Sequence, residues 1–564
     1  METKLISFKI LTEKLSKAKP LEFEVLLNRL PENINVYKPE DVTLKMKMES
    51  SDGKRIISDA FYFEEYAFKD DICLEKKSSK NPIFRFRFCP MQSGIWNYKV
   101  TLFINGKCSD AIVGNISVSE SEQDSIILSI EPNSKRVFAK PNGDPVFLIG
   151  ENLYWSSPEK EVKYYAHHII ENMKTLVKNG VNHIRIVDCV ESGVSLRKSV
   201  HFMRQDTSAM MDQILNAADE LGIYVTFVLL NNSDVNGYKG PASESKIWYK
   251  GNGGYIEEAK DFFGDAETKN AVKDYIRYVV SRWGYSERIV TWELISEFDR
   301  TEFTWARGSD FSILKQWMKD MYECVREYDS YNHLISASIF YINIFPYFEE
   351  CFDFLNIHQC DPSGLGMLLS IQSDCWRAYK KPVLITNTGI TGPRAASAGG
   401  VMTEDLLAVH QPNWCGLMGG GAGNCMNFAW KQLAEFNGEW CYKALSQISK
   451  RIPWKDENLR NVSVESVPVS NGRIDVMGYK SDNGAYLWLY DNKILPTCRY
   501  EEVVFSDEQL CINMNNGHYN IEWFDARTGC CIKQEQLIAS NNSLTVSMPK
   551  WSKDIAVVIN CNHN

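Results

Sequence analysis

From Phe8 to Val118 apolar and polar positions alternate with a period of two, in LEFEVLLN, DVTLKMKM, IFRFRFCP, GIWNYKVTLFING and AIVGNISV, with turn residues between the segments. Alternation of this kind gives each strand one apolar and one polar face, and it predicts an antiparallel β-sandwich of immunoglobulin-like size. A polar bridge, SESEQDS at 119–125, closes the stretch. The texture then changes. Between residues 129 and 455 the apolar runs PVFLIG, VNHIRIVD, IYVTFVLL, IVTWELIS, HLISASIF, FLNIHQ, PVLITN and NCMNFAW read as strands, most of them preceded by an amphipathic helical stretch such as YYAHHIIENMKTLVKN or TKNAVKDYIRYVVSRW. Eight such repeats predict a parallel sheet closed into a (β/α)8 barrel. A doubly wound sheet would carry a glycine-rich phosphate turn after its first strand, where this chain reads ENLYWSS. After Trp454 the period of two returns in RIDVMGYK, GAYLWLYD, YNIEWFDARTG, SLTVSMP and DIAVVIN, which predicts a second β-sandwich. The expected division is therefore an immunoglobulin-like sandwich at 1–125, a central (β/α)8 barrel at 126–455 and a C-terminal sandwich at 456–564.

Composition narrows the function classes. With 564 residues, 44% apolar and 24% charged, the chain has the balance of a globular protein and no apolar run long enough to span a bilayer, so no membrane partner is expected. A net charge of −10, without a long Lys/Arg cluster, argues against nucleic acid as a partner. The 16 cysteines are scattered from Cys73 to Cys561 with neither a CxxC pair nor zinc-like spacing, so free thiols, no metal and no cofactor are the expectation. The amino-terminal METKLISFKILTEKL shows no basic-then-apolar leader with a cleavage site. Together these features predict a cytoplasmic protein, or a secreted one if a leader has been removed. Oligomeric state is open.

In a (β/α)8 barrel the chemistry sits at the C-terminal ends of the strands. Those ends hold Glu151, Asn152, Tyr154 and Trp155 on strand one, Arg185 and Asp188 on strand two, and Asn231 and Asn232 on strand three. Glu297 and Asp299 follow strand four; His358 ends strand six, Asn387 strand seven, and Trp430 lies near strand eight. Carboxylate, guanidinium, imidazole, amides and aromatics at one mouth suit a carbohydrate, because amides and arginine bond hydroxyls while aromatic faces stack on sugar C–H surfaces. GGGAG at 419–423 has no following Lys-Ser/Thr and is expected to allow close backbone packing where strand eight begins.

The segment RWGYSERIVTWELISEFD resembles the acid/base region of the retaining (β/α)8 glycoside hydrolases, the superfamily of cellulases, mannanases and β-galactosidases. KPVLITNTG resembles their strand-seven segment KPVLITEFG. GENLYWSS, the NGGY and DFF elements at 252–263, YNHLISAS, NIHQ and GLMGGGAGNCMNFAW match in order. The flanking FRFRFCPMQSGIWNYKV, YNIEWFDARTGCCI and KDIAVVI are similar to the outer modules of a three-domain cellulase-like group. The resemblance implies hydrolysis of β-linked glycosides or oligosaccharides, with Glu297 as general acid/base and position 387 as the nucleophile. For substrate binding, the residue types and the resemblance together point to Asn152, Trp155, Arg185, Asn231, Trp248, Ser296, His358, His410 and Trp430.

Two departures fall at the centre. Retaining hydrolysis uses two carboxyl groups, one to protonate the leaving oxygen and one to attack the anomeric carbon. Asn387 is an amide with no low-energy anionic form and cannot serve as the usual nucleophile. Ser296 also stands where the family has an Asn that bonds the sugar 2-hydroxyl. Asn387 could hold a water for direct inversion, assist a substrate that carries its own nucleophile, or mark a nucleophile knockout. The alternative is a catalytically inactive carbohydrate-binding pseudoenzyme. Glu293 is expected to support the barrel interior beside Arg185, and Asp299 and Asp361 to cap loops.

Overall fold

A computed structural model describes residues 2–122, 124–153, 161–188, 194–236, 246–305, 311–360, 365–389, 406–427, 430–462, 467–494 and 500–562. Packing divides the chain into two compact units. Unit 1 comprises Met1–Leu128, Tyr154–Met173 and Ile186–Asp353, and unit 2 comprises Ser129–Leu153, Lys174–Arg185 and Phe354–Asn564. The stretch 126–455 is thus shared between them, whereas the outermost β-rich segments each fall within one unit. In chain order the parallel strands are β1 (Gly150–Asn152), β2 (His183–Val187), β3 (Tyr224–Val228), β4 (Ile289–Glu293), β5 (Leu334–Ser336), β6 (Leu355–Cys360) and β7 (Val383–Gly389). Among the helices are α1 (Tyr165–Lys178), α2 (Gln205–Leu221), α3 (Ala266–Trp283), α4 (Phe311–Tyr328), α5 (Leu365–Tyr379) and α6 (Leu407–Met418).

Unit 1 begins with two four-stranded antiparallel sheets. The strand Leu21–Leu27 shows the cause. Leu21, Phe23, Val25 and Leu27 are fully buried, and the intervening Glu22 and Glu24 meet Arg87 and Arg85 across the strand pair at 2.9 and 3.1 Å. Both sheets contribute to one apolar core that includes Phe86, Met46, Trp96 and Val100. Arg87 also pairs with Asp212 on α2 at 2.6 Å, and Arg282 on α3 reaches the same carboxylate at 2.7 Å. Burial acts to raise the Asp212 carboxyl, but Arg282 and Arg87 together outweigh it and hold the group well below the usual carboxylate range. α2 stops at Gly222, whose φ of 74° lies in the left-handed region that ends helices; α3 starts under Asp265, whose side chain accepts the Thr268 N–H at 2.7 Å. Strands β3, β4 and β5 then lie side by side in parallel, and the Asp188 N–H adds the end of the preceding strand by bonding Val228 O at 3.0 Å.

Unit 2 carries its own parallel run. β6 pairs with β7, and β1 pairs with β2 through Gly150–His183, Glu151–Ile184 and Asn152–Arg185. The expected eighth strand appears as a less regular segment, 422–427, bonded on both sides. Its Ala422 and Met426 N–H groups bond Val383 O and Ile385 O at 2.8 and 2.9 Å, while Leu148 and Ala422, and Asn424 and Leu148, exchange bonds of 3.1 Å. The run-in is glycine-rich for steric reasons: a Cβ on Gly423 would lie 2.5 Å from Leu148 O and 2.7 Å from a Leu384 methyl. The C-terminal part of the unit is a six-stranded antiparallel sheet, Arg460–Val462, Ile474–Lys480, Gly484–Asp491, Asp554–Cys561, Gly517–Asp525 and Cys531–Ala539 in spatial order. It shares a core with two smaller strand pairs.

Among the described residues no helix is long and apolar enough to cross a membrane, and the cysteines are free thiols, mostly buried. A Gly423→Ala variant is expected to lose about 1–3 kcal/mol of stability, because the Leu148 carbonyl cannot move without breaking its own pairing. Urea unfolding of the two forms checks this, and equal midpoints would contradict it.

Candidate functional site

In unit 1 the polar groups gather around the end of β4. Beyond Glu293 the chain runs through Ser296 to Glu297, which adopts φ 52° and ψ 49° and leads into the turn Phe298–Arg300. A non-glycine residue in the left-handed region pays a steric cost and persists where its surroundings fix it. The Glu297 N–H is fixed by Ser338 Oγ at 2.9 Å. Its carboxylate, 9% exposed, accepts Asn232 Nδ2 at 3.2 Å and Arg300 Nη1 at 3.1 Å on Oε2.

Ser296 supports this arrangement through its backbone: its N–H bonds Leu230 O at 2.8 Å and its carbonyl accepts the Asn232 N–H at 3.1 Å. Asn231 faces the backbone instead. Its side-chain oxygen accepts the Ser233 N–H at 3.0 Å and caps the short helix Asn232–Val235, which presents the neighbouring Asn232 to Glu297. Asp299 accepts the N–H groups of Phe340 and Tyr341, and burial pushes its carboxyl up to about 6 against those bonds. Beneath the loops, buried Arg197 joins Asp188 and Asp234, each at 3.3 Å, and Tyr275 donates to Asp188 at 2.6 Å.

Trp248, expected as a sugar platform, is fully buried, edge-on to Phe262 at 5.2 Å and beside the Arg197 guanidinium at 5.1 Å.

In unit 2 a second group of residues surrounds the end of β7. Asn387 is 5% exposed, and its Oδ1 is buried without a hydrogen-bond partner among the described residues. Leaving such an acceptor unpaired costs about 1–3 kcal/mol. Thr388 Oγ1 and Asn356 Nδ2 are likewise buried without a partner among the described residues, whereas other polar groups nearby are engaged. Thr386 gives its hydroxyl proton to Asn356 Oδ1, so His358 Nε2 is the donor in its 3.1 Å contact with Thr386 Oγ1. Asn152 uses its whole amide within the protein: Nδ2 donates to Thr386 O and Asn427 O, both at 2.9 Å, and Oδ1 accepts Arg185 Nη1 at 3.2 Å. Its part in this structure is to tie β1 to β7 and to the segment 422–427, with Arg185 buried behind it. Glu151, also fully buried, accepts the Tyr442 hydroxyl and the Asn152 N–H, yet burial still pushes its carboxyl up to about 8.

His410, expected among the substrate-binding residues, is bonded within the protein. It lies on α6, which packs on the strands Ile474–Lys480 and Gly484–Asp491, and its Nε2 meets Asp554 Oδ2 at 2.5 Å; Trp488 Nε1 donates to the same oxygen at 3.0 Å. The imidazole therefore anchors a helix to the C-terminal sheet. Trp155, Tyr154 and Asp361 lie outside the described residues, as does the side chain of Trp430, which opens the helix Trp430–Glu435. Sequence reasoning assigned no role to Arg300 or Ser338. The spacing of Arg300 three residues after Glu297 in a turn is the signal that could have revealed it. Among the described residues no group of three or more His, Cys, Asp or Glu side chains is placed to hold a metal ion.

No family model matches the chain. Among curated proteins it is similar to the Probable mannan endo-1,4-beta-mannosidase A of Aspergillus clavatus, 30% identical over 125 residues, which are 22% of this chain and 31% of that protein. It is also similar to mannan endo-1,4-beta-mannosidase 5 of Solanum lycopersicum, 24% identical over 207 residues, or 35% and 48% of the two chains. The chain thus matches less than half the length of either relative. Among solved structures, one described as a candidate glycoside hydrolase from Bacteroides vulgatus aligns over 98% of this chain and 100% of that one, with a TM-score of 0.61 and 14% identity. Another, described as a glycoside hydrolase, covers 78% and 97% with a TM-score of 0.50 and 14% identity. The chain therefore has the fold of glycoside hydrolases, and its curated homologues are mannosidases.

The buried Glu151 makes stability depend on pH. Its folded pKa lies above the unfolded value, so its contribution is complete at acidic pH and is lost as pH rises through the window up to about 8. Thermal unfolding of the parent protein should weaken from about pH 5 to about pH 8, and Glu151→Gln should flatten that decline. An identical slope in both proteins would contradict the assignment.

Proposed function

We propose that this chain is a glycoside hydrolase-like protein acting on β-linked glycosides or oligosaccharides, with Glu297 as general acid/base and Asn387 in the place of the usual nucleophile. The observation that carries the reading is Glu297 itself: a nearly buried carboxylate at the end of a parallel strand, held in a left-handed backbone conformation and bonded by Asn232 and Arg300. Backbone strain held by its surroundings clusters at active sites, and barrel chemistry sits at strand ends. The architecture belongs to the same proposal: a (β/α)8 barrel over 126–455 with an immunoglobulin-like sandwich before it and a β-sandwich after it. The order of parallel strands within each unit and the fold-level likeness to glycoside hydrolases support it.

The chemistry follows from the two side chains. Glu297 as an acid protonates the leaving oxygen, and as a base it activates the incoming water. Asn232 orients its carboxyl, and Ser338 fixes the backbone beneath it. Asn387 cannot form the glycosyl ester, so turnover runs without a protein nucleophile. His358 and Arg185 shape the surroundings of position 387 from buried places. The names of the curated relatives make β-1,4-linked mannosides the first substrates to test, alongside β-glucosides, and a cytoplasmic location is part of the same proposal.

The second reading, a carbohydrate-binding pseudoenzyme, is favoured by the 3.1 Å Arg300–Glu297 ion pair, which stabilises a carboxylate rather than a proton donor. Both readings meet in one experiment with aryl β-mannosides and β-glucosides. Asn387→Glu is expected to create or raise hydrolysis, and Glu297→Gln to reduce the activity of any active form by about 10²-fold or more. Turnover that survives Glu297→Gln would remove Glu297 from its role. Binding of β-mannan oligosaccharides without turnover in either form would establish the pseudoenzyme.

A further inference from the structure

Arg300 holds its cation against the carboxylate of Glu297, with Nη1 3.1 Å from Oε2. The two ends of this pair differ in exposure: Glu297 is nearly buried, whereas the Arg300 side chain is 38% exposed. The backbone that carries the guanidinium is fixed, since the Arg300 N–H bonds Glu297 O at 2.9 Å and its carbonyl accepts Asn236 Nδ2 at 3.0 Å. The guanidinium carbon lies 5.0 Å from the centre of the Phe340 ring, a contact that steadies the cation. Asp299 accepts the N–H groups of Phe340 and Tyr341 and so holds that ring in place. Tyr341, edge-on to Phe340 at 5.1 Å, is 45% exposed. All of these residues belong to unit 1.

Among the described residues the Arg300 side chain makes one hydrogen bond, that to Glu297. A single ion pair on a partly exposed guanidinium contributes little to stability, so a second carboxylate can take its place at small cost. The planar fork of arginine suits such an exchange, because it meets a carboxylate with two parallel N–H groups. The exchange also changes the chemistry of Glu297. A nearly buried carboxylate that loses its cation is favoured in the protonated form, and repulsion from the neighbouring Asp299 acts in the same direction. The protonated form is the one that can donate to a leaving oxygen.

We infer that the Glu297 site takes an acidic glycan, a β-linked glycoside with a uronic-acid carboxylate beside the scissile bond, and that Arg300 is the receptor for that carboxylate. The inference rests on the role proposed above for Glu297. The incoming carboxylate takes the guanidinium, and Glu297 takes one proton from solvent. That proton passes to the leaving oxygen as the glycosidic C–O bond breaks. Water gives its hydroxyl to the anomeric carbon and its other proton to solvent, and Glu297, again a carboxylate, returns to Arg300 when the acidic product leaves. A neutral glycoside leaves the ion pair closed. Tyr341 offers an exposed aromatic surface beside the receptor for a sugar ring.

β-1,4-linked oligomannuronate is the probe, because it places a carboxylate on both sides of each bond and differs from a neutral β-1,4-mannan oligosaccharide of matched length only in that group. By calorimetry on the full chain the acidic oligomer should bind at least about tenfold more tightly than the neutral one, and Arg300→Gln should remove the difference. Glu297→Gln should bind the acid as tightly as the parent or more so, because the competing carboxylate is gone. Acid binding to the parent should take up protons, read as a dependence of the heat on buffer ionisation, and binding to Glu297→Gln should not. A merely structural Arg300 would change thermal unfolding and leave both readouts as they are; circular dichroism establishes that the variants fold.

Equal affinity for the two oligomers, or a preference for the acid that survives Arg300→Gln, would overturn the inference, and Glu297-dependent hydrolysis of the neutral oligomer would then leave the hydrolase reading standing. Arg300-dependent binding of the acid without turnover in any form would support the receptor and overturn the hydrolase reading. Absence of binding and of turnover with both oligomers would overturn both.

Discussion

Asn152 is the side chain on which the strand ends of unit 2 depend. Parallel strands end in backbone carbonyls and amides that point past the last ladder bond, and buried groups of this kind must be paired. One amide closes two of these ends at once, bonding Thr386 O and Asn427 O, and accepts the side-chain Arg185 Nη1 as well. The segment 422–427 can follow this course because the glycines at and before its start leave room for their neighbours; a Cβ at Gly421 would lie 2.4 Å from the Gln372 side-chain oxygen and 2.7 Å from Gly416 O. Removing the Asn152 amide would leave two carbonyls and a guanidinium proton unmatched in the interior, a larger loss than that of one hydrogen bond.

Unit 1 solves the same problem with charge. Arg197 lies between Asp188 and Asp234 with Tyr275 donating to the first, and Asp234 also accepts the Asn231 N–H that starts the capped turn. The loops following β2 and β3 are therefore fastened to one guanidinium, and the turn that carries Asn232 inherits its position from that fastening. Asn232 and Arg300 in turn set the Glu297 carboxylate. The chain of dependence runs from a buried ion cluster to the orientation of one acid.

Asn387 Oδ1 is one of several buried polar atoms without a partner among the described residues, with Thr388 Oγ1 on β7 and Asn356 Nδ2 on β6 in the same condition. On the same two strands His358 Nε2, Thr386 Oγ1 and Asn356 Oδ1 are bonded in a row. An amide can donate or accept a hydrogen bond but has no low-energy anionic form with which to attack. In unit 1 the Arg300 guanidinium lies 3.1 Å from Glu297 Oε2, an ion pair within a single turn.

The alternation of Leu21, Phe23, Val25 and Leu27 with Glu22 and Glu24 is a local pattern, and from it the sequence by itself determined which faces of that strand are buried. The polar residues terminating the apolar runs were legible in the same way, since a parallel strand buried on both faces leaves polar groups only at its ends. What those residues do was decided by tertiary structure. Trp248 is core and His410 a fastening to Asp554, 144 positions away. The partners of Asn152 lie 234 and 275 positions away, and of two adjacent asparagines one caps a helix while the other bonds Glu297 across 65. The physical reason is the short range of a hydrogen bond. It depends on a donor and acceptor meeting within about 3 Å, and for groups far apart in the chain that meeting is set by packing, which periodicity does not encode.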